Sequence, residues 1–135
     1  MSNYLFFIEA NTSGSGVHAL RKTHELGWQP VLFTRKPSLY AGADATGATI
    51  VTCETNDLPV LRAAIDALLS EQPGTVVGIT TTSEFYVETV AVLAAERSLP
   101  TNPPAMIRAC RNKGQTRQRL TEAGLPQPRF VIVQQ

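Results

Sequence analysis

At 135 residues, with 43% hydrophobic and 17% charged residues, the chain is long enough for one domain with a real core and is globular rather than disordered in composition. Twelve basic against eleven acidic residues leave a net charge of +1, so there is no global attraction to nucleic acid or to a membrane surface and binding must be argued locally. The only cysteines, Cys53 and Cys110, are too few for a disulfide framework or a metal cluster and read as buried free thiols of a protein in a reducing cytoplasm.

Tyr4 to Ile8 is a continuous apolar run, the pattern of a strand covered on both faces in a parallel sheet. It is too short to span a bilayer, and it has neither a basic residue before it nor a small-residue cleavage site. Small polar residues follow from Glu9 to Gly16. Val17, Leu20, His24 and Leu26-Gly27 then give helical spacing with a glycine stop, and Pro30 to Thr34 reads as a second strand. Residues 35–48, with Pro37, Gly42 and Gly47, look irregular before a short third strand at Thr49 to Thr52. Asn56 or Asp57 caps a helix whose Leu61, Ala64, Ile65, Leu68 and Leu69 keep helical periodicity. Pro73-Gly74 turns into a fourth strand over Thr75 to Ile79, and the hydroxyl run Thr80 to Ser83 separates it from a helix through Val87, Val90, Ala91, Ala94 and Ala95.

Strand and helix alternate throughout, which implies an α/β fold: a three-layer αβα, Rossmann-like parallel sheet with right-handed crossovers. After Leu99-Pro100 the pattern changes to two shorter helices, about 104–111 and 113–123, and a final strand near Phe130 to Val133. The chain thus divides into a Rossmann-like domain over 1–102 and a helical linker with a first strand over 103–135.

In an open parallel sheet, ligands collect beyond the carboxyl ends of the strands, and two loops there qualify. The first runs from Glu9 to Gly16; its Gly14-Ser15-Gly16-Val17-His18-Ala19 matches a dinucleotide fingerprint with alanine in the third slot. The passage from strand to glycine is longer than that fingerprint needs, and the second strand ends on Arg35 and Lys36 rather than on an acid, a pair that would suit the 2′-phosphate of NADP. The bland alternative is a flexible loop in which Ser13 or Ser15 caps the helix. The second loop is Thr80 to Tyr86, where Ser83 with Glu84 fits a helix start. Further on, Arg108, Arg111, Lys113, Arg117 and Arg119 have no acidic neighbour until Glu122; they form either a solvated face or a stretch that steers polyphosphate. His18 and His24 lack the four-residue spacing of a metal pair, so no metal site is expected, and no serine lies in a nucleophile elbow.

The order of signals in the last third, Asn102-Pro103-Pro104, then Asn112-Lys113-Gly114, then Gly124-Leu125-Pro126-Gln127-Pro128, resembles the linker that leads into the catalytic part of ATP-grasp ligases. The stretch from Thr80 to Ala105, with Ser83-Glu84, Tyr86 and Leu99-Pro100, is similar to the matching region of ATP-grasp amino-acid ligases. The resemblance implies a pre-ATP-grasp domain on the substrate side of a carboxylate-amine (amino-acid) ligase that works through an acyl phosphate. It implies that Lys113, eleven residues before Gly124, contacts ATP phosphates with support from Arg117. By the same likeness Gly14, Ser15, Gly16 and Glu84 face a small-molecule carboxylate or amino acid. ATP and Mg²⁺ then belong to the complete enzyme, with the metal ligands and the adenine pocket in an absent ATP-grasp core and no catalytic residue or turnover in this chain alone. Enzymes of this kind also occur fused to argininosuccinate-lyase-like domains. An apolar patch where the core docks would let the isolated piece form a homodimer. Two other classes stay open: an NADP-binding oxidoreductase domain and a non-catalytic interaction module.

Overall fold

The computed structural model describes residues 1–133. Four parallel strands, β1 (Ser2–Ile8), β2 (Gln29–Thr34), β3 (Thr49–Thr52) and β4 (Gly74–Thr80), form one sheet in the order β3-β2-β1-β4. Helix α1 (Ser15–Glu25) joins β1 to β2, and α2 (Leu58–Glu71) joins β3 to β4. The β2–β3 connection instead uses two 3-10 turns, Pro37–Leu39 and Asp44–Thr46. Beyond β4 a 3-10 turn at Glu84–Tyr86 runs into α3 (Val87–Glu96), and α4 (Pro104–Arg111) and α5 (Lys113–Glu122) follow.

Why β1 is apolar at every position is plain from its place in the middle of the sheet. Alternation sends Tyr4, Phe6 and Ile8 to one face, where they pack with Val31, Phe33, Leu61 and Ile65 and with Leu93 of α3. Phe7 points the other way, to Leu20 of α1, Leu32, Tyr40 and Ala43. The sheet is therefore the middle of three layers, with α2 and α3 on one side and α1 with the 3-10 turns on the other, as the alternation of elements implies. Full burial of each such large side chain contributes roughly 1.5–3 kcal/mol, so these two clusters hold the strand ends in place.

In β4, Val76 and Ile79 both reach the α2/α3 side although they are three residues apart. The register slips between the pairs Tyr4–Val76 and Leu5–Gly78, so Val77 is the extra residue of a β-bulge that resets the alternation. Helix starts are partly as expected. Asp57 Oδ1 accepts from the Val60 amide at 3.1 Å to open α2, and Asn112 Oδ1 accepts from the Gln115 amide at 3.0 Å to open α5. No side chain caps α1, whose N-cap is Gly14, nor does Ser83 cap the turn after β4. Ser15 Oγ accepts instead from Asn11 Nδ2, and Thr81 Oγ1 accepts from the Ser83 amide.

Two further expectations are corrected. Residues 130–133 form no strand: a strand exists only by pairing, none of β1–β4 takes them as a neighbour, and Val131 and Val133 lie exposed. Cys53 is half-buried, whereas Cys110 is exposed. Only Ala109 is buried in the short α4, and the next residue along a helix turns about 100° away from it. Among the described residues, no helix is long and apolar enough to cross a membrane.

Candidate functional site

The chain runs β1 to β2 to β3 in one direction across the sheet and then places β4 on the other side of β1. The loops after β1 and β4 diverge at such a reversal, and a crevice is expected there. Here hydroxyls stitch the two loops together: the Asn11 amide donates to Thr82 Oγ1 at 2.8 Å, and Thr81 Oγ1 donates to the Glu9 carbonyl at 3.2 Å. A pocket of about 160 Å³ is lined by Thr12 and Ser83 from these loops and by Arg35, Lys36 and Leu39 from the segment after β2.

Its floor is Glu9, the residue directly after β1, 8% exposed. Oε2 accepts from the Thr34 hydroxyl at 2.7 Å and from the Tyr40 hydroxyl at 2.5 Å. Oε1 accepts from the Thr55 hydroxyl at 2.8 Å and from the Arg35 amide at 2.9 Å. One carboxylate thus joins the ends of β1 and β2, the first 3-10 segment and the loop after β3. Burial pushes its pKa up, but the bonds from Tyr40, the Arg35 amide, Thr34 and Thr55 together hold it below the ordinary glutamate value. Burial, and then the bond to Glu9, pushes the Tyr40 phenol up to about 12. Glu9 has a left-handed backbone, φ 48°, which is uncommon for a non-glycine residue. Its amide donates to the Phe33 carbonyl at 2.9 Å, and with four side-chain bonds the conformation is fully determined.

The residues singled out from the sequence fall into three places. Gly14, with φ 61°, and Ser15 start α1 and are exposed; Gly16 is buried. A Cβ on Gly16 would lie 1.9 Å from the Asn11 carbonyl oxygen, so the close approach this glycine permits is taken by the chain itself. Glu84 is exposed at the start of its 3-10 turn, on the same loop as Ser83 and Tyr86, and it does not line the Glu9 pocket. Lys113 and Arg117 share one groove of about 300 Å³ with Gly114 and the extended residues 130–133. That groove and the Glu9 pocket have no lining residue in common.

Lys113 is the first residue of α5, at the end where unpaired amides and the helix dipole favour an anion. Among the described residues, Arg108 is paired with Glu88 at 2.7 Å while no ion pair engages Lys113 or Arg117. His18 and His24 are both exposed. Among the described residues, no cluster of three His, Cys, Asp or Glu side chains is placed to hold a metal ion.

Sequence reasoning passed over Glu9 and Tyr40. The signal for Glu9 is present: a lone acid following a wholly apolar central strand sits where ligands and loop ends meet. Tyr40 carried no such mark, lying in a segment without periodicity.

No family model and no curated protein matches the sequence. Solved structures do match. The L-amino acid ligase from Bacillus licheniformis is 22% identical over 94% of this chain and 32% of its own, with a TM-score of 0.77. N5-carboxyaminoimidazole ribonucleotide synthetase (purK), seen as an ADP complex, is 12% identical over 93% of this chain and 30% of its own, with a TM-score of 0.61. The biotin carboxylase domain of the Hydrogenobacter thermophilus 2-oxoglutarate carboxylase, in complex with MgADP, ADP and bicarbonate, is 19% identical over 89% of this chain and 28% of its own, with a TM-score of 0.57. The chain spans about a third of the length of these structures. At these identities the likeness is one of fold: the chain shares its α/β, Rossmann-like architecture with part of each of these structures.

Proposed function

We propose that this chain is the substrate-side domain of an ATP-dependent carboxylate-amine ligase acting on an amino acid or a related small carboxylate in the cytoplasm, incomplete without an ATP-grasp core. One observation carries the reading. The likeness to the L-amino acid ligase covers 94% of the chain, which leaves only about eight of the 135 residues unmatched, so it extends past the sheet into α4 and α5. A generic dinucleotide domain has no reason to share those two helices.

Lys113 and Arg117 fit a phosphate contact, being two cations on one groove at a helix start. ATP would supply the phosphoryl group that turns a carboxylate into an acyl phosphate, with Mg²⁺, held by acids of the core, offsetting the phosphate charge. The residues of this chain hold and orient: Lys113 and Arg117 toward the nucleotide, and Gly14, Ser15 and Glu84 along the substrate wall, with Gly16 buried against Asn11. Glu84 is exposed, as a carboxylate awaiting an ammonium group must be. The division into a domain over 1–102 and a linker over 103–135 belongs to the same reading. Against NADP stands the Asn11 carbonyl in the space that Gly16 leaves open.

The test is ATP consumption by the domain joined to its ATP-grasp core, with free amino acids as substrates. Lys113→Ala should raise the KM for ATP or lower kcat by roughly tenfold or more, the worth of one charge-assisted contact. Unchanged nucleotide kinetics in that variant would sink the assignment.

A further inference from the structure

The pocket over Glu9 holds groups that the ligase reading leaves unused. Arg35 and Lys36 follow directly on β2, and the Thr12 and Ser83 hydroxyls, which make no side-chain hydrogen bond among the described residues, line the same pocket from the loops after β1 and β4. Arg35 meets Glu54 only at 3.6 Å, beyond hydrogen-bond distance, and among the described residues no ion pair engages Lys36. Tyr86, also on the wall, already donates its hydroxyl to Asn56 Oδ1 at 3.0 Å, which leaves its oxygen as an acceptor.

Glu9 itself cannot be the group that grips a ligand. A carboxylate offers about four lone-pair sites, and its four donors, three hydroxyls and one amide, take them all. It is a positioning residue, holding Arg35 and Tyr40 in place through a strained backbone that four loop ends jointly maintain. With that carboxylate satisfied, the cations of the pocket are Lys36 and Arg35, the latter within 3.6 Å of Glu54, beside two unused hydroxyls. At about 160 Å³ and open to solvent, the space has room for a group of a few heavy atoms.

We propose that this pocket binds a small oxyanion, a carboxylate or a phosphate monoester, with Arg35 and Lys36 meeting its charge and the Thr12 and Ser83 hydroxyls its oxygens. Binding itself stands on the pocket alone; that the oxyanion is part of the ligase substrate, selected by Arg35 and Lys36, rests on the ligase reading.

The experiment is an amide NMR titration of the 135-residue chain with sodium phosphate, acetate and succinate, each against sodium chloride at matched ionic strength, and with ethylammonium chloride as the opposite charge. Saturable shifts centred on the amides of Thr12, Arg35, Lys36 and Ser83 are expected. Saturation by phosphate alone assigns a phosphate ester, and saturation by the carboxylates assigns an organic acid. Arg35→Ala and Lys36→Ala, both at exposed positions, should each weaken binding by roughly tenfold, the loss of one charge-assisted contact. Shifts no larger than those from chloride, shifts unchanged in both variants, or saturation by ethylammonium instead would overturn the proposal. Because no nucleotide and no core enter the titration, its failure leaves the Lys113 result untouched, and the reverse holds too.

Discussion

Tyr40 donates its phenolic proton to Glu9 Oε2 at 2.5 Å, across 31 residues of sequence and inside a buried contact. That bond ties the irregular β2–β3 connection, which has no helix of its own to anchor it, to the end of the central strand. Substitution Glu9→Gln keeps the shape but sets an amide NH₂ against groups that are themselves donors. Leaving one or two of them unsatisfied costs about 1–3 kcal/mol. For a domain of this size, a melting temperature lower by roughly 5–15 °C is expected. A variant that melts with the wild type would show that the network is decorative.

The same network sets a pH dependence. Glu9 has a folded pKa below its ordinary value, so its contribution is present above the unfolded value, about 4.3, and is lost as pH falls through the folded one. Stability should drop with acidification below about pH 4.3, more steeply in the wild type than in Glu9→Gln. Glu25 and Glu96 are also held low, by Lys22 and Arg62, but these are exposed pairs and add little. Parallel acid-denaturation curves for the two proteins would remove Glu9 as the cause. At the other end of the scale, Tyr40 stays protonated toward pH 12, and the stability tied to its raised pKa is lost as pH rises from the ordinary phenol value to that one. An ultraviolet titration should show one late phenol that disappears in Tyr40→Phe.

Much of this fold is legible in the sequence because its causes are local. Apolar runs mark β1 to β4, and the helical period of Leu61, Ile65 and Leu68 marks α2 together with its Asp57 cap. What failed depends on partners distant in sequence. Phe130 to Val133 has the composition of a strand but no neighbour to pair with, and Cys110 sits in a helix too short to show which row is buried. The Glu9 hub gathers Thr34, Tyr40 and Thr55 from 25, 31 and 46 residues away, so no window along the chain contains it. The Gly14-to-Ala19 motif shows the converse problem, a pattern that matches while the space it should create is filled.

The two thiols should separate in reactivity. Burial first, and then the charges of Glu9 and Glu54, push the half-buried Cys53 thiol above its ordinary value, which lowers its thiolate fraction at neutral pH. Cys110 is exposed. Ellman's reagent should therefore titrate one thiol rapidly and a second slowly, with the fast phase absent in Cys110→Ser. A single rapid phase for both would mean that Cys53 is open to solvent.

Gly14 and Gly16 are two residues apart but face different constraints. At Gly14 an added methyl meets nothing within 4 Å, and the obstacle is the backbone itself, whose φ of 61° with ψ −110° lies in a sparsely populated region that costs alanine on the order of 1–3 kcal/mol. At Gly16 the methyl lands on backbone, 1.9 Å from the Asn11 oxygen, where no flexible side chain can move aside. Gly16→Ala should therefore lower the melting temperature well beyond Gly14→Ala. It should also disturb the Asn11 amide bonded to Thr82, visible as a shifted Asn11 amide resonance. Equal, mild effects would mean that the loop moves freely away from α1.

That filled space also predicts what NADPH will do. A dinucleotide needs the backbone at the second glycine to approach its pyrophosphate, and here the approach is to Asn11. To enter, the ligand would have to break the Asn11–Thr82 bond and lift the loop, so NADPH should shift the melting temperature no more than inorganic phosphate does. Binding at a hundred times Kd would add about 2.7 kcal/mol of stability, a shift of several degrees that a thermal melt resolves easily. A shift of that size with NADPH, absent with inorganic phosphate, would restore the dinucleotide reading and require the Glu9-to-Gly16 loop to open on binding.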